Sequence, residues 1–153
     1  MNGGMHRAEA FAIVEKLRKA GFRAYIVGGA VRDMVMGREP YDYDIATDAG
    51  PDDVERLFAR VHRVGASFGV SLVVTDAGRY EVAMFRRGGL YEDGRRPVIV
   101  EPSDPETDAM RRDFTMNSLY YAPAEDRIID FTGGAADIRA GVVRTVGDPV
   151  ERF

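Results

Sequence analysis

Two carboxylates one residue apart, in Tyr41-Asp42-Tyr43-Asp44-Ile45, stand shortly after a glycine–arginine run, Gly28-Gly29-Ala30-Val31-Arg32-Asp33. In an extended segment residues i and i+2 point to the same side, roughly 6.6 Å apart along the strand. Asp42 and Asp44 therefore share one face, and Tyr43 and Ile45 can pack behind them. A pair of hard oxygen ligands at that pitch suits one or two Mg²⁺ ions carrying a phosphorylated substrate. Upstream, Gly28 and Gly29 let the backbone come close to an anion, and Arg32 offers a fork of donors to phosphate oxygens. Metal ligands beside a phosphate cradle imply phosphoryl or nucleotidyl transfer. An Asp-x-Asp by itself is a common product of turns, and a Gly-Gly pair is usually a turn. Their order along the chain gives them meaning.

The elements that must position these residues follow from apolar spacing. Residues 7–20 carry Ala10, Phe11, Val14 and Leu17 ahead of Gly21, which predicts an amphipathic helix with a glycine stop. An apolar strand over 24–27 leads into the glycine turn and a short helix over about 30–36, stopped at Gly37. The carboxylate strand spans about 42–46. Pro51 fits the first turn of a helix that buries Val54, Leu57 and Phe58. Residues 69–75 and 79–86 flank Asp76-Ala77-Gly78 as a hairpin, and the glycine- and charge-rich run 87–97 reads as a mobile loop. Ser103-Asp104-Pro105-Glu106 matches a capping box opening a helix toward Arg111. A strand at 127–130, a turn at Gly133-Gly134, a helix near 135–140 and a strand over 142–146 close the chain. The expected fold is α/β (α+β), a small mixed sheet with helices packed against it.

Together these motifs resemble the head domain of the bacterial-type (class II) tRNA nucleotidyltransferases and poly(A) polymerases. The resemblance rests on Gly28–Asp33, Gly37-Arg38, Asp42–Thr47, Tyr80–Arg86, Asp93–Pro97, Arg111–Leu119, Asp130–Gly134 and Val146–Pro149, in that order over about residues 8–153. It implies that a polynucleotide 3′-hydroxyl attacks the α-phosphate of CTP or ATP and expels pyrophosphate, with two Mg²⁺ ions as cofactor. Asp42 and Asp44 are the implied metal ligands. Glu81 is the third implied catalytic acid, on a neighbouring strand facing the aspartates. A carboxylate in that otherwise apolar strand is costly without a partner. Gly28, Gly29 and Arg32 are the implied triphosphate holders, with Asp33 orienting Arg32. Arg112 is placed at the nucleotide, and Asp113 and Asn117 at the sugar side of the pocket or its supporting loops. Arg95 and Arg96 are candidates for contact with primer or triphosphate. His6 and His62 are expected to be solvated.

At 153 residues the chain has a single-domain length, and 45% apolar with 30% charged residues describes a globular protein. Neither a membrane-length apolar run nor a signal-peptide block is visible, so the expected setting is cytoplasmic. Zero cysteines exclude disulfides and thiolate metal sites. A net charge of −4 is unusual for a protein that handles RNA. Acids neutralised by metal, and RNA held mainly elsewhere, would reconcile the two. In the family the chain continues into neck, body and tail helices that choose the base and grip tRNA. Residues 1–153 are therefore expected to be the catalytic head alone, binding metal and triphosphate weakly with little base discrimination, and completed by further chain or by a second chain. Three activities share this head: whole CCA addition, partial addition, and poly(A) tailing of RNA 3′ ends. The Tyr91–Pro97 loop favours tRNA as partner, while Asn117–Tyr121 and Asp130–Gly134 lean toward poly(A) polymerase. A small transferase acting on a protein or antibiotic fits the Arg-Arg-Asp-Phe-Thr segment poorly. A non-catalytic module fits the retained carboxylate pair poorly, because packed like charges repel.

Overall fold

The computed structural model describes residues 3–64, 69–86, 103–148 and 150. The loop expected over 87–97, with Arg95 and Arg96, lies outside the described residues. Helix α1 (Gly3–Lys19) buries Ala10, Ile13, Val14 and Leu17, the stripe of a one-sided helix, and Gly21 ends it at φ +98°. Then come β1 (Ala24–Val27), α2 (Gly29–Val35), β2 (Asp44–Thr47), α3 (Pro51–Leu57), β3 (Val61–Val64), β4 (Val70–Val74) and β5 (Arg79–Met84). After them stand α4 (Pro105–Met110), a 3₁₀ turn at Thr115–Asn117, β6 (Leu119–Ala122), β7 (Arg127–Asp130) and α5 (Gly134–Ala140).

The strands form one mixed sheet in the order β3-β4-β5-β2-β1-β6-β7. Every neighbouring pair is antiparallel except β2 with β5. The register assigns each side chain to a face. Val82, Ile45, Ile26 and Tyr121 lie level across the sheet and point into the main core, shared with α1 and with Tyr43 and Val54. One residue along, Val27 lies level with Asp44 on one side and Tyr120 on the other, and Tyr120 pairs with Ile129. Period-two alternation sends this row to the opposite face, where Val27, Ala46, Phe85, Ala109 and Tyr120 make a smaller core. Extending the β2–β5 register by one residue adds Glu81 to the row beside Asp44. The sheet thus separates a structural face from a face that carries acids.

Two strands are added and two expectations corrected. Val61–Val64 is an edge strand after α3, in which His62 stands exposed, as expected. Leu119–Ala122 is a fully buried strand that apolar alternation does not reveal, since both its faces are covered. Among the described residues the run 142–146 makes a single bridge, Thr145 with Phe114, flanked by the Thr115 amide donating to the Arg144 carbonyl and the Val146 amide to the Asp113 carbonyl, rather than a full strand. Helix α4 is capped by Asp104 rather than Ser103: the Thr107 amide donates to Asp104 Oδ1 at 2.7 Å, and Pro105 takes the first turn. Among the described residues no helix is long and apolar enough to cross a membrane.

Candidate active site

At the end of β1 the chain turns through Gly28, whose φ of +70° and ψ of −135° suit glycine alone. Its amide donates to the Leu119 carbonyl at 3.1 Å, tying the turn to β6. A Cβ on Gly28 would stand 3.8 Å from Arg112 Nη1, and one on Gly29 would stand 3.3 Å from Arg32 Nη2. Both glycines therefore leave bare backbone directly beneath a guanidinium. Arg32 is held from two sides. Its Nη1 donates to Asn117 Oδ1 at 3.0 Å and its Nε to Asp33 Oδ1 at 3.2 Å. Asn117 belongs to the 3₁₀ turn, which Asp113 steadies by accepting the Phe114 amide at 2.6 Å, with Asn117 Nδ2 3.5 Å away. Gly28, Gly29, Arg32, Arg112, Asp113 and Asn117 thus gather from two separate stretches of sequence into one cradle.

Arg112 owes its place to a residue that the sequence does not single out. Asp108 on α4 is fully buried and accepts from five donors: Arg111 Nε, Arg112 Nε and Nη2, Tyr120 OH at 2.6 Å and the Arg86 amide at 3.1 Å. Burial pushes its carboxyl up, but the Arg112 and Arg111 guanidiniums, with Tyr120 and the Arg86 amide, outweigh that and hold it below the usual carboxylate range. The Arg112 guanidinium also lies over the Tyr120 ring, 5.5 Å from its centroid. Arg111 and Arg112 are both largely buried. Their i+3 and i+4 spacing from Asp108 is the signal that could have exposed it. Nearby, Arg86 buries Nε and Nη1 with no hydrogen-bond partner among the described residues. Three guanidiniums around one acid leave this side of the cleft positive.

The carboxylates stand next to the cradle. Asp42 stands two residues before β2, Asp44 opens it, and both face solvent while Tyr43 and Ile45 are buried behind them. β5 is an interior strand, so Glu81 is not at a sheet edge; it stands level with Asp44 on the neighbouring strand. The Asp44 carboxyl is pushed up to about 6, by loss of surrounding water and then by the charges of Glu81 and Asp42, with Arg112 pulling the other way. Among the described residues no three acidic or histidine side chains close around a single point. The three acids instead stand at one end of β2 and β5, where the charges of Glu81 and Asp42 bear on Asp44.

An interior parallel pair that sets acids level, beside a glycine turn covered by guanidiniums, is the arrangement of a nucleotidyltransferase head. The family model described as the poly A polymerase head domain matches residues 24–144, and the chain belongs to that family. Among its relatives are a CCA-adding enzyme of Bacillus licheniformis, 44% identical over 95% of this chain and 36% of the relative, and poly(A) polymerase I of Haemophilus influenzae, 39% identical over 94% and 34%. The chain spans about a third of the length of these relatives. The crystal structure of Bacillus stearothermophilus CCA-adding enzyme in complex with CTP superposes with a TM-score of 0.84 at 41% identity, over 95% of this chain and 35% of that one. A tRNA nucleotidyltransferase complexed with a primer tRNA and an incoming ATP analogue gives a TM-score of 0.70 at 30% identity, over 88% and 38%.

Proposed function

We propose that residues 1–153 form the catalytic head of a template-independent RNA nucleotidyltransferase. Its reaction is the addition of C and A nucleotides from CTP and ATP to tRNA 3′ ends in the cytoplasm. The observation that carries this reading is the placement of Asp42, Asp44 and Glu81 at one end of neighbouring strands beside a cradle of guanidiniums. The donor set fits a divalent cation: all hard oxygen ligands, open to solvent at Asp42 and Asp44, with the Asp44 carboxyl pushed up by desolvation and by the charges of Glu81 and Asp42. Asp42 and Asp44 would hold Mg²⁺, with Glu81 beside them. Bound there, the cation supplies a lowered pKa for an attacking hydroxyl and neutralisation of phosphate charge.

The chain's own residues supply position. Bare backbone at Gly28 and Gly29 admits the triphosphate closely, Arg32 and Arg112 fork on to its oxygens, and Asn117 and Asp108 aim those two guanidiniums. The hydroxyl oxygen bonds to the α-phosphorus, the bond to the bridging oxygen breaks, and pyrophosphate leaves with the electron pair. The hydroxyl proton goes to solvent. Incubating the protein with CTP or ATP, Mg²⁺ and a tRNA lacking its 3′ terminus tests the reading. The expected result is labelled tRNA, lost when Asp42 or Asp44 becomes Ala; equal labelling by both variants would end it. The poly(A) polymerase relative, nearly as similar as the CCA-adding one, supports a second reading, general 3′ adenylation. An unstructured RNA labelled with ATP as readily as the truncated tRNA would favour it.

A further inference from the structure

The pairing of β2 with β5 covers Ile45–Thr47 and Val82–Met84 and ends one residue short of Asp44 and Glu81. Among the described residues no ladder bond of this pair spans the acids themselves, and the Glu81 charge bears directly on Asp44. Something else must hold the two strand ends together. Carrying the register one residue past the acids sets Tyr43 level with Tyr80, and both rings point into the main core, on the face opposite Asp44 and Glu81. Each acid-bearing strand therefore has a buried tyrosine next to its acid: Tyr43 between Asp42 and Asp44, Tyr80 just before Glu81.

Both hydroxyls are held by the first turns of α1. Tyr80 OH donates to Glu9 Oε1 at 2.9 Å. The Thr75 hydroxyl, which accepts the Gly78 amide and so closes the β4–β5 hairpin, donates to the same oxygen. On the other strand Arg7 Nε donates to Tyr43 OH at 3.4 Å, and Tyr43 OH donates to Glu39 Oε1 at 3.4 Å, with Arg7 and Glu39 also ion-paired. His6, expected to be solvated, is instead half-buried, with Nδ1 3.1 Å from Tyr80 OH. A Cβ on Gly78 would stand 2.8 Å from its ring, so glycine there lets the helix close on the hairpin. At about 100° per residue Arg7 and Glu9 flank the buried stripe of Ala10, Ile13, Val14 and Leu17 from either side, which lets one helix reach both strands.

We propose that Glu9 and Arg7 are positioning residues for the metal site: through Tyr80 and Tyr43 they hold the ends of β5 and β2 together, so that Glu81 and Asp44 are already gathered when a divalent cation arrives. The inference rests on the function proposed above and names what sets the spacing of its acids. Support of this kind from behind a site keeps its first contacts in place. Glu9 is the stronger half, with two hydroxyls on one oxygen; Arg7 is exposed and its bond to Tyr43 is longer.

The probe is Mn²⁺ alone, its free form counted by electron paramagnetic resonance over metal-free protein, with urea titration beside it. Glu9→Ala and Tyr80→Phe are expected to weaken Mn²⁺ binding roughly ten-fold, and Arg7→Ala to weaken it less. Glu9→Gln, which keeps an oxygen for both hydroxyls, retains most of the affinity. In nucleotide transfer the apparent KM for Mg²⁺ rises with the Mn²⁺ dissociation constant, while the KM for ATP at saturating Mg²⁺ does not. A contact that served stability alone would lower the urea midpoint and leave the folded protein's Mn²⁺ affinity unmoved; that result for Glu9→Ala and Tyr80→Phe overturns the inference. So does Glu9→Gln binding as weakly as Glu9→Ala. Should Tyr80→Phe fail to fold, the two Glu9 variants decide between them. Wild-type protein that binds Mn²⁺ no better than Asp44→Ala sinks the proposed metal site and the brace together. Wild-type binding that the brace variants leave intact sinks the brace alone.

Discussion

Asp108 and Asp44 lie on the same side of one sheet, the first buried and the second open to solvent, and the protein treats them in opposite ways. Five donors converge on Asp108 and hold it ionised. Asp44 has no hydrogen-bond or ion-pair partner among the described residues and faces two like charges. Repulsion of that kind costs stability with no gain inside the protein itself. An acid whose needs are met internally aims other groups; an acid left wanting is prepared for something from outside.

The contrast can be broken at either pole. Asp44→Ala should lower nucleotide transfer on the order of a thousand-fold, about 4 kcal/mol of barrier, measured by single-turnover labelling of RNA. Folding should survive it. Asp108→Asn should do the reverse first, destabilising the fold by about 3 kcal/mol in urea titration, because two buried guanidiniums lose their counter-charge. Should Asp108→Asn leave the urea midpoint unchanged, the two acids are not the opposites described. Asn117→Ala should loosen Arg32 and weaken triphosphate binding by about 1.5 kcal/mol, roughly ten-fold, in calorimetry.

The smallest effect sharpens the comparison most. Folding raises the Asp44 carboxyl from 3.8 to about 6, so the folded state binds the extra proton. That contribution is fully present below pH 3.8 and is lost as pH rises through about 6. Metal-free protein should therefore be about 1 kcal/mol less stable above roughly pH 7 than its Asp44→Asn variant, after allowance for solvent screening. Mg²⁺ competes with the same proton, so its binding should tighten over that window. Thermal melts with and without EDTA measure both; a wild type more stable than Asp44→Asn without metal would contradict the sign.

The legible part of this site is the part made of contiguous sequence. The glycine turn, Arg32 and the Asp42–Asp44 pair announce themselves because backbone freedom and period-two spacing are local properties. Asp33 was readable as the partner of Arg32 for the same reason. Asp108 was not, because its importance comes from Tyr120 and the Arg86 amide, brought over by tertiary packing. Strand β6 was missed for a related cause: buried on both faces, Leu119–Ala122 shows no alternation. The run at 142–146 erred the other way: among the described residues its β-branched side chains come with a single bridge to Phe114 rather than a full strand.

The single parallel pairing, β2 with β5, has a consequence for how the protein comes into being. Parallel neighbours need a crossover, here α3, β3 and β4, so Glu81 reaches Asp44 only after that excursion has closed. A nascent or partly unravelled chain therefore holds the acids scattered and has little grip on a divalent ion. On the metal site proposed above, magnesium affinity would gauge completed folding, and by mass action magnesium would draw the population toward the finished sheet.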